Sequence, residues 1–240
     1  MNLLDIYDTW RKRKNYEKAV EMSKIGFALN HQYISSIEIK PLEKHFKHEE
    51  RLTQYKQLIS TWNNKKHKNI NFGDSISDFT RPQFEIGHDG IFSIGGSWAH
   101  HMQQMIEDLH LELLEFDIKN ITIGTLGGNP MLVYMNTSEV IQSSLSCLTK
   151  LRELYPVSRI IVYGIPSMFN INTIMNSNLF DLKMIEWCKM DRDARFLSLK
   201  EHFGTGFARL IPTSKWSSDG VHFNERGAAK LNSLLMELMK

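Results

Sequence analysis

From Asn69 to the C-terminus, short apolar runs alternate with stretches of three- and four-residue apolar spacing, and this alternation restricts the fold more than any other feature. Runs of strand length occur at 69–73, 90–94, 118–125, 158–165 and 195–199. Helical spacing fills 98–115, 137–155 and 176–189, and returns at 225–239. A strand, a helix and a second strand make one crossover unit, and repeated units give a parallel sheet covered on both faces. The run Ile160-Ile161-Val162-Tyr163 is apolar without alternation, as a strand buried on both sides requires. Ligands of such sheets bind beyond the carboxyl ends of the strands. Three of those ends carry glycine, at Gly73-Asp74-Ser75, Gly95-Gly96 and Gly127-Gly128-Asn129.

The first 66 residues read differently. Tyr16, Ala19, Val20, Ile25 and Phe27 fit one helical stripe, while Leu52, Tyr55, Leu58, Ile59 and Trp62 fit another, with Pro41 between them. The polar stretch "TWNNKKHK" closes the segment. We therefore expect a helical N-terminal extension over 1–66 and an α/β domain over 67–240. The apolar stripes of the extension need burial, either on the α/β domain or on a second subunit or other partner. Its excess of Lys and Arg fits solvated helix faces, so no nucleic-acid partner is expected.

Composition excludes other classes. An apolar fraction of 42% with 23% charged residues is that of a globular protein in water. No apolar run approaches the roughly 18 residues of a membrane span, and the N-terminal charges follow the apolar patch, the reverse of a secretory signal. Cys147 and Cys188 both fall in helical stretches, which argues against a disulfide framework and for a reducing cytoplasm.

The glycine-bearing strand ends lack the lysine and spacing of a nucleotide-binding loop. A nucleophile fits them better. Ser75 alone would be an ordinary turn residue, but "SSDGVHFNERG" supplies Asp219 and His222, three residues apart before the last helix. That spacing lets a carboxylate hold one imidazole nitrogen while the other takes a proton from a serine hydroxyl. Asn224, or a residue near it, would cap the helix that follows. Adjacent His100 and His101 diverge by about 100° on a helix, which makes them a poor metal pair. His45 and His48 fit a charged surface, and Trp98 and Trp216 fit core or rim packing.

In the order "FGDSIS", "SIGGS", "GGN" and "DGVHFN..G", these segments resemble the SGNH hydrolases, also called the GDSL esterase/lipase superfamily, over roughly residues 69–240. The resemblance implies a flavodoxin-like, doubly wound sheet of five parallel strands, with no metal or organic cofactor. It makes Ser75 the nucleophile, His222 the base and Asp219 the orienting acid. The backbone N–H groups of Ser75 and Gly96 and the side-chain amide of Asn129 would form the oxyanion hole. Two positions depart from the pattern: Ile76 replaces a leucine, and Pro130 replaces an aspartate, which should hold Asn129 in an extended conformation. The expected function is hydrolysis of small carboxylic esters, acetylated sugars among them, through an acyl-enzyme on Ser75. Bulky Trp98, Met102 and Met105 after the glycine pair favour short acyl chains. The alternatives are acyl transfer to a sugar hydroxyl and an inactive binding module on the same fold.

Overall fold

The computed structural model describes residues 48–62, 68–132, 136–166, 171–204, 215–217 and 221–240. Five strands, β1 (Lys68–Gly73), β2 (Gly90–Ser93), β3 (Ile118–Gly124), β4 (Arg159–Tyr163) and β5 (Ala194–Leu197), form one sheet in the order β2-β1-β3-β4-β5, and every pairing is parallel. The chain leaves β1 in one direction to reach β2 and returns in the other to reach β3. Right-handed crossovers therefore place the two sets of connecting helices on opposite faces.

On one face, α1 (His48–Ser60), α4 (Ala99–Leu113), α6 (Thr137–Leu154) and α7 (Ile171–Met190) pack side by side. On the other, α3 (Arg81–Phe84) packs against the C-terminal α9 (Glu225–Leu238). Short helices α2 (Ser75–Phe79), α5 (Gly128–Leu132) and α8 (Leu199–Phe203) follow β1, β3 and β5 directly. Strand alternation decides which side chains meet each layer. Ile70, Phe72, Ile121 and Ile123 are fully buried on the α4 side. Asn71 and Thr122, level with each other in adjacent strands, point the opposite way. There Asn71 Nδ2 donates to Thr122 Oγ1 at 2.8 Å, and His88 Nε2 meets the same hydroxyl at 2.9 Å.

The α/β expectation and the five strands hold to within a residue or two. Helix α1, however, lies before the expected domain start at residue 67, and it packs against α4 and the edge strand β2. Tyr55 is 3% exposed, stands edge-on to Phe92, and accepts from Ser93 N at 3.0 Å while donating to Ser93 O. Residues Lys47–Lys240 accordingly form one compact unit. The helices expected before residue 47 lie outside the described residues. Among the described residues, no helix is long and apolar enough to cross a membrane.

Candidate active site

Strand β1 ends at Gly73, and Asp74 alone turns the chain into α2. Asp74 caps that helix by accepting from Ile76 N at 2.9 Å, so Ser75 becomes its first residue rather than part of an open turn. Ser77, on the buried side of α2, meets Tyr163 Oη at 2.5 Å and ties the helix to the end of β4. This close approach of Tyr163 to the strand ends depends on Gly124, where a Cβ would stand 2.0 Å from the Tyr163 ring.

His222 reaches Ser75 from the far end of the chain. Its Nε2 lies 3.1 Å from Ser75 Oγ. The backbone around it is pinned on both sides. Ser217 Oγ donates to His222 O at 2.6 Å, Ser217 bridges Phe223, and Asn224 N donates to Trp216 O at 2.9 Å. Asn224 also caps α9 by accepting from Gly227 N at 3.0 Å, as its position before the last helix predicts. The imidazole packs on the ring of Phe79 with centroids 4.3 Å apart. Asp219 lies outside the described residues. Trp216 packs edge-on against Phe203 beneath Lys230, which agrees with a packing role.

The other two strand ends close on the same spot. A Cβ on Gly95 would stand 3.8 Å from that of Ser75, which brings the loop after β2 against the serine. Gly96 has φ 82°, a left-handed conformation that favours glycine, so the loop's turn itself requires it. Asn129 arrives from the end of β3, and its Nδ2 donates to Ser97 O at 3.0 Å and to Asp74 Oδ2 at 3.1 Å. Asn129 is not extended. It lies in the first turn of α5, where Pro130 is tolerated because its missing N–H would have no intrahelical acceptor.

Two residues that the motifs left without a role complete the cluster. Asp74 is fully buried, and burial raises its carboxyl from 3.8 to about 7 despite the hydrogen bonds from Thr125 and Ile76 and the nearby charge of His222. Thr125 donates its hydroxyl to Asp74 Oδ1 from a backbone at φ 51°, unusual for a β-branched residue. A signal for Asp74 was present in its place before Ser75. The strain at Thr125 has no sequence signature. Met102 and Met105, expected near the site, are fully buried in the core, while His101 Nδ1 accepts from Trp98 N at 3.1 Å and so holds the start of α4.

Solved structures share this architecture. A protein of Streptococcus pneumonia described as a platelet activating factor superimposes with a TM-score of 0.67 at 15% identity, over 89% of this chain and 99% of its own. A GDSL-like lipase of Bacteroides thetaiotaomicron gives 0.59 at 13% identity, over 78% and 96%. The fold is that of the SGNH hydrolases. The C-terminal catalytic domain of a Streptococcus pneumoniae peptidoglycan O-acetyltransferase superimposes as well, with a TM-score of 0.55 at 15% identity over 73% of this chain and 94% of that domain. No family model and no curated protein matches the chain by sequence. The likeness is therefore one of fold, and the case for SGNH chemistry rests on the residues at the strand ends.

Proposed function

We propose that the protein is a serine ester hydrolase acting through an acyl-enzyme on Ser75. The observation that carries this reading is the 3.1 Å approach of His222 Nε2 to Ser75 Oγ at the carboxyl edge of the sheet. In the first step Ser75 Oγ bonds to the acyl carbon, its proton passes to His222 Nε2, and the carbonyl π pair moves onto the oxygen. The oxyanion then reforms the carbonyl, the bond to the leaving oxygen breaks, and imidazolium returns the proton to that oxygen as the alcohol departs. Water repeats the sequence and releases the acid, restoring the serine. Asp219 is assigned the orienting role on the other imidazole nitrogen. The Ser75 and Gly96 N–H groups and the Asn129 amide are assigned to the oxyanion, where donors act most strongly once charge has developed.

Small carboxylic esters, including acetylated carbohydrates, are the proposed substrates, and the proposed location is the cytoplasm. A second reading, transfer of the acyl group to a sugar hydroxyl in place of water, draws support from the O-acetyltransferase domain among the structural neighbours. An inactive binding module has no need of a serine hydroxyl set against an imidazole nitrogen, so the paired side chains weigh against it. Turnover of p-nitrophenyl acetate and butyrate, followed by product analysis with and without added sugar acceptors, tests these readings together. Free acid in both conditions supports hydrolysis, acylated sugar supports transfer, and no turnover by the folded protein contradicts both.

A further inference from the structure

An ester has two halves, and the geometry around Ser75 distinguishes where each belongs. After attack, the reacting carbon carries Ser75 Oγ, the oxyanion, the leaving oxygen and the acyl chain. His222 accepts the proton from Oγ and must hand it to the leaving oxygen, so the alcohol half has to lie on the His222 side. On that side Phe79 presents a ring that is 64% exposed, 4.3 Å from the imidazole. An exposed phenylalanine beside a catalytic base offers a flat apolar face and no hydrogen bond.

The oxyanion then faces the Asn129 amide, and the acyl chain takes the remaining direction away from His222, past Ser97 and Asn129. The next residues along the chain from these two, Trp98 and Pro130, wall an open cleft of ≈ 450 Å³, counting the space it shares with solvent. Leu126 and Val140 complete the apolar walls, and His100 and Glu139 stand at the rim. Asn129 stands between the cleft and the serine: its chain neighbour Pro130 lines the cleft, and its amide donates to Ser97 O and to Asp74, the residue before Ser75. Met102 and Met105 do not line the cleft, and both are buried in the core.

We infer that the cleft between Trp98 and Pro130 binds the acyl chain of the ester, and that Phe79 seats the alcohol half. The inference rests on the ester-hydrolase reading of Ser75 and extends it to substrate orientation. Mainly apolar walls, with Ser143 among them and His100 and Glu139 at the rim, suit a methylene chain. The cleft is short and open to solvent, so a long acyl chain must run out of it. Each methylene it removes from water raises the specificity constant, up to the length at which the cleft is full.

The test compares kcat/KM for two ester series with the full-length protein. One varies the acyl chain, from p-nitrophenyl acetate through butyrate and hexanoate to dodecanoate. The other varies the alcohol of a butyrate, from ethyl to phenyl. Wild-type enzyme should favour hexanoate over acetate by about tenfold and lose the advantage at dodecanoate. Ser143→Phe, at a half-buried position lining the cleft, should lower the hexanoate-to-acetate ratio about tenfold. Trp98→Ala removes a wall without adding bulk and should lower the same ratio. Phe79→Ala should instead lower the phenyl-to-ethyl ratio several-fold and leave the acyl ratio within about twofold. An acyl ratio indifferent to both Ser143→Phe and Trp98→Ala overturns the assignment, as does an exchange of the two effects between the cleft and Phe79. A folded wild-type protein that hydrolyses no ester in either series overturns the ester-hydrolase reading, and the orientation with it.

Discussion

Asn129 has two amide hydrogens, and both are engaged, one by Ser97 O and one by Asp74 Oδ2. An oxyanion forming nearby would draw one of them away from the Asp74 carboxylate. Asn129→Ala should therefore lower kcat on the order of 10²–10³-fold with little change in KM, because the amide acts where charge develops. Steady-state kinetics on a small activated ester checks this, and an unchanged kcat would leave the Ser75 and Gly96 N–H groups as the donors. His88 carries a different prediction. Burial holds its imidazole down from 6.5 to about 4, with hydrogen bonds to Phe84 O and Thr122 Oγ1. The fold favours neutral His88, so its contribution is complete above pH 6.5 and is lost as pH falls from there toward 4. Asp74 acts in the opposite sense. Its raised carboxyl contributes fully below pH 3.8, and that contribution is lost as pH rises through about 7. The two slopes oppose each other between roughly pH 6.5 and 4, and a variant is needed to separate them. Relative to wild type, His88→Gln should gain up to ~1.4 kcal/mol per pH unit on acidification through that window. Urea unfolding at several pH values measures the difference, and parallel curves for the two proteins would refute a buried neutral imidazole.

Among the elements, α1 carries the clearest test. Its Tyr55 hydroxyl both accepts from and donates to Ser93 at the end of β2, which among the described residues is an edge strand with no further strand beyond it. Removing that oxygen leaves a buried N–H and a buried carbonyl without it, at a cost of about 1–3 kcal/mol. Tyr55→Phe should show this loss in urea unfolding while keeping the aromatic contact with Phe92. A chain starting at Lys47 keeps α1 and should fold and retain ester turnover. A chain starting at residue 67 lacks Tyr55 and uncovers Phe92, so it should aggregate or unfold at lower urea. Equal stability of the two truncations would show that α1 is dispensable. Helical spacing at Leu52, Tyr55, Leu58, Ile59 and Trp62 predicted the helix, but periodicity names only the buried face and not the surface that buries it. For that reason the sequence reading put α1 in the extension, whereas the structure packs it against α4 and β2.

At the scale of the whole molecule, the alternation of apolar runs and helical spacing was enough to predict five parallel strands, since few architectures bury such a chain. The candidate residues Ser75, Gly96, Asn129 and His222, which the fold brings to one edge of the sheet, were marked in the sequence as short motifs at strand ends and before the last helix. Long-range geometry was not. Nothing local marks Asp74 as a carboxyl raised by burial, Thr125 as the strained donor that meets it, or Met102 and Met105 as core residues rather than lining. Each depends on segments that only the folded sheet brings together. The helical start at Ser75 was obscured by the same Gly-Asp pair that reads as a turn, because a capping aspartate and a turn aspartate look alike in sequence. The central claim is that those distant segments activate one serine, and treating the full-length protein with a fluorophosphonate, then locating the adduct by mass spectrometry, tests it most directly. The expected result is one adduct, on the peptide bearing Ser75, absent from Ser75→Ala and formed about 10⁴-fold or more slowly in folded His222→Ala. No adduct on the folded protein, an adduct on another residue, or labelling of His222→Ala at the wild-type rate would contradict it.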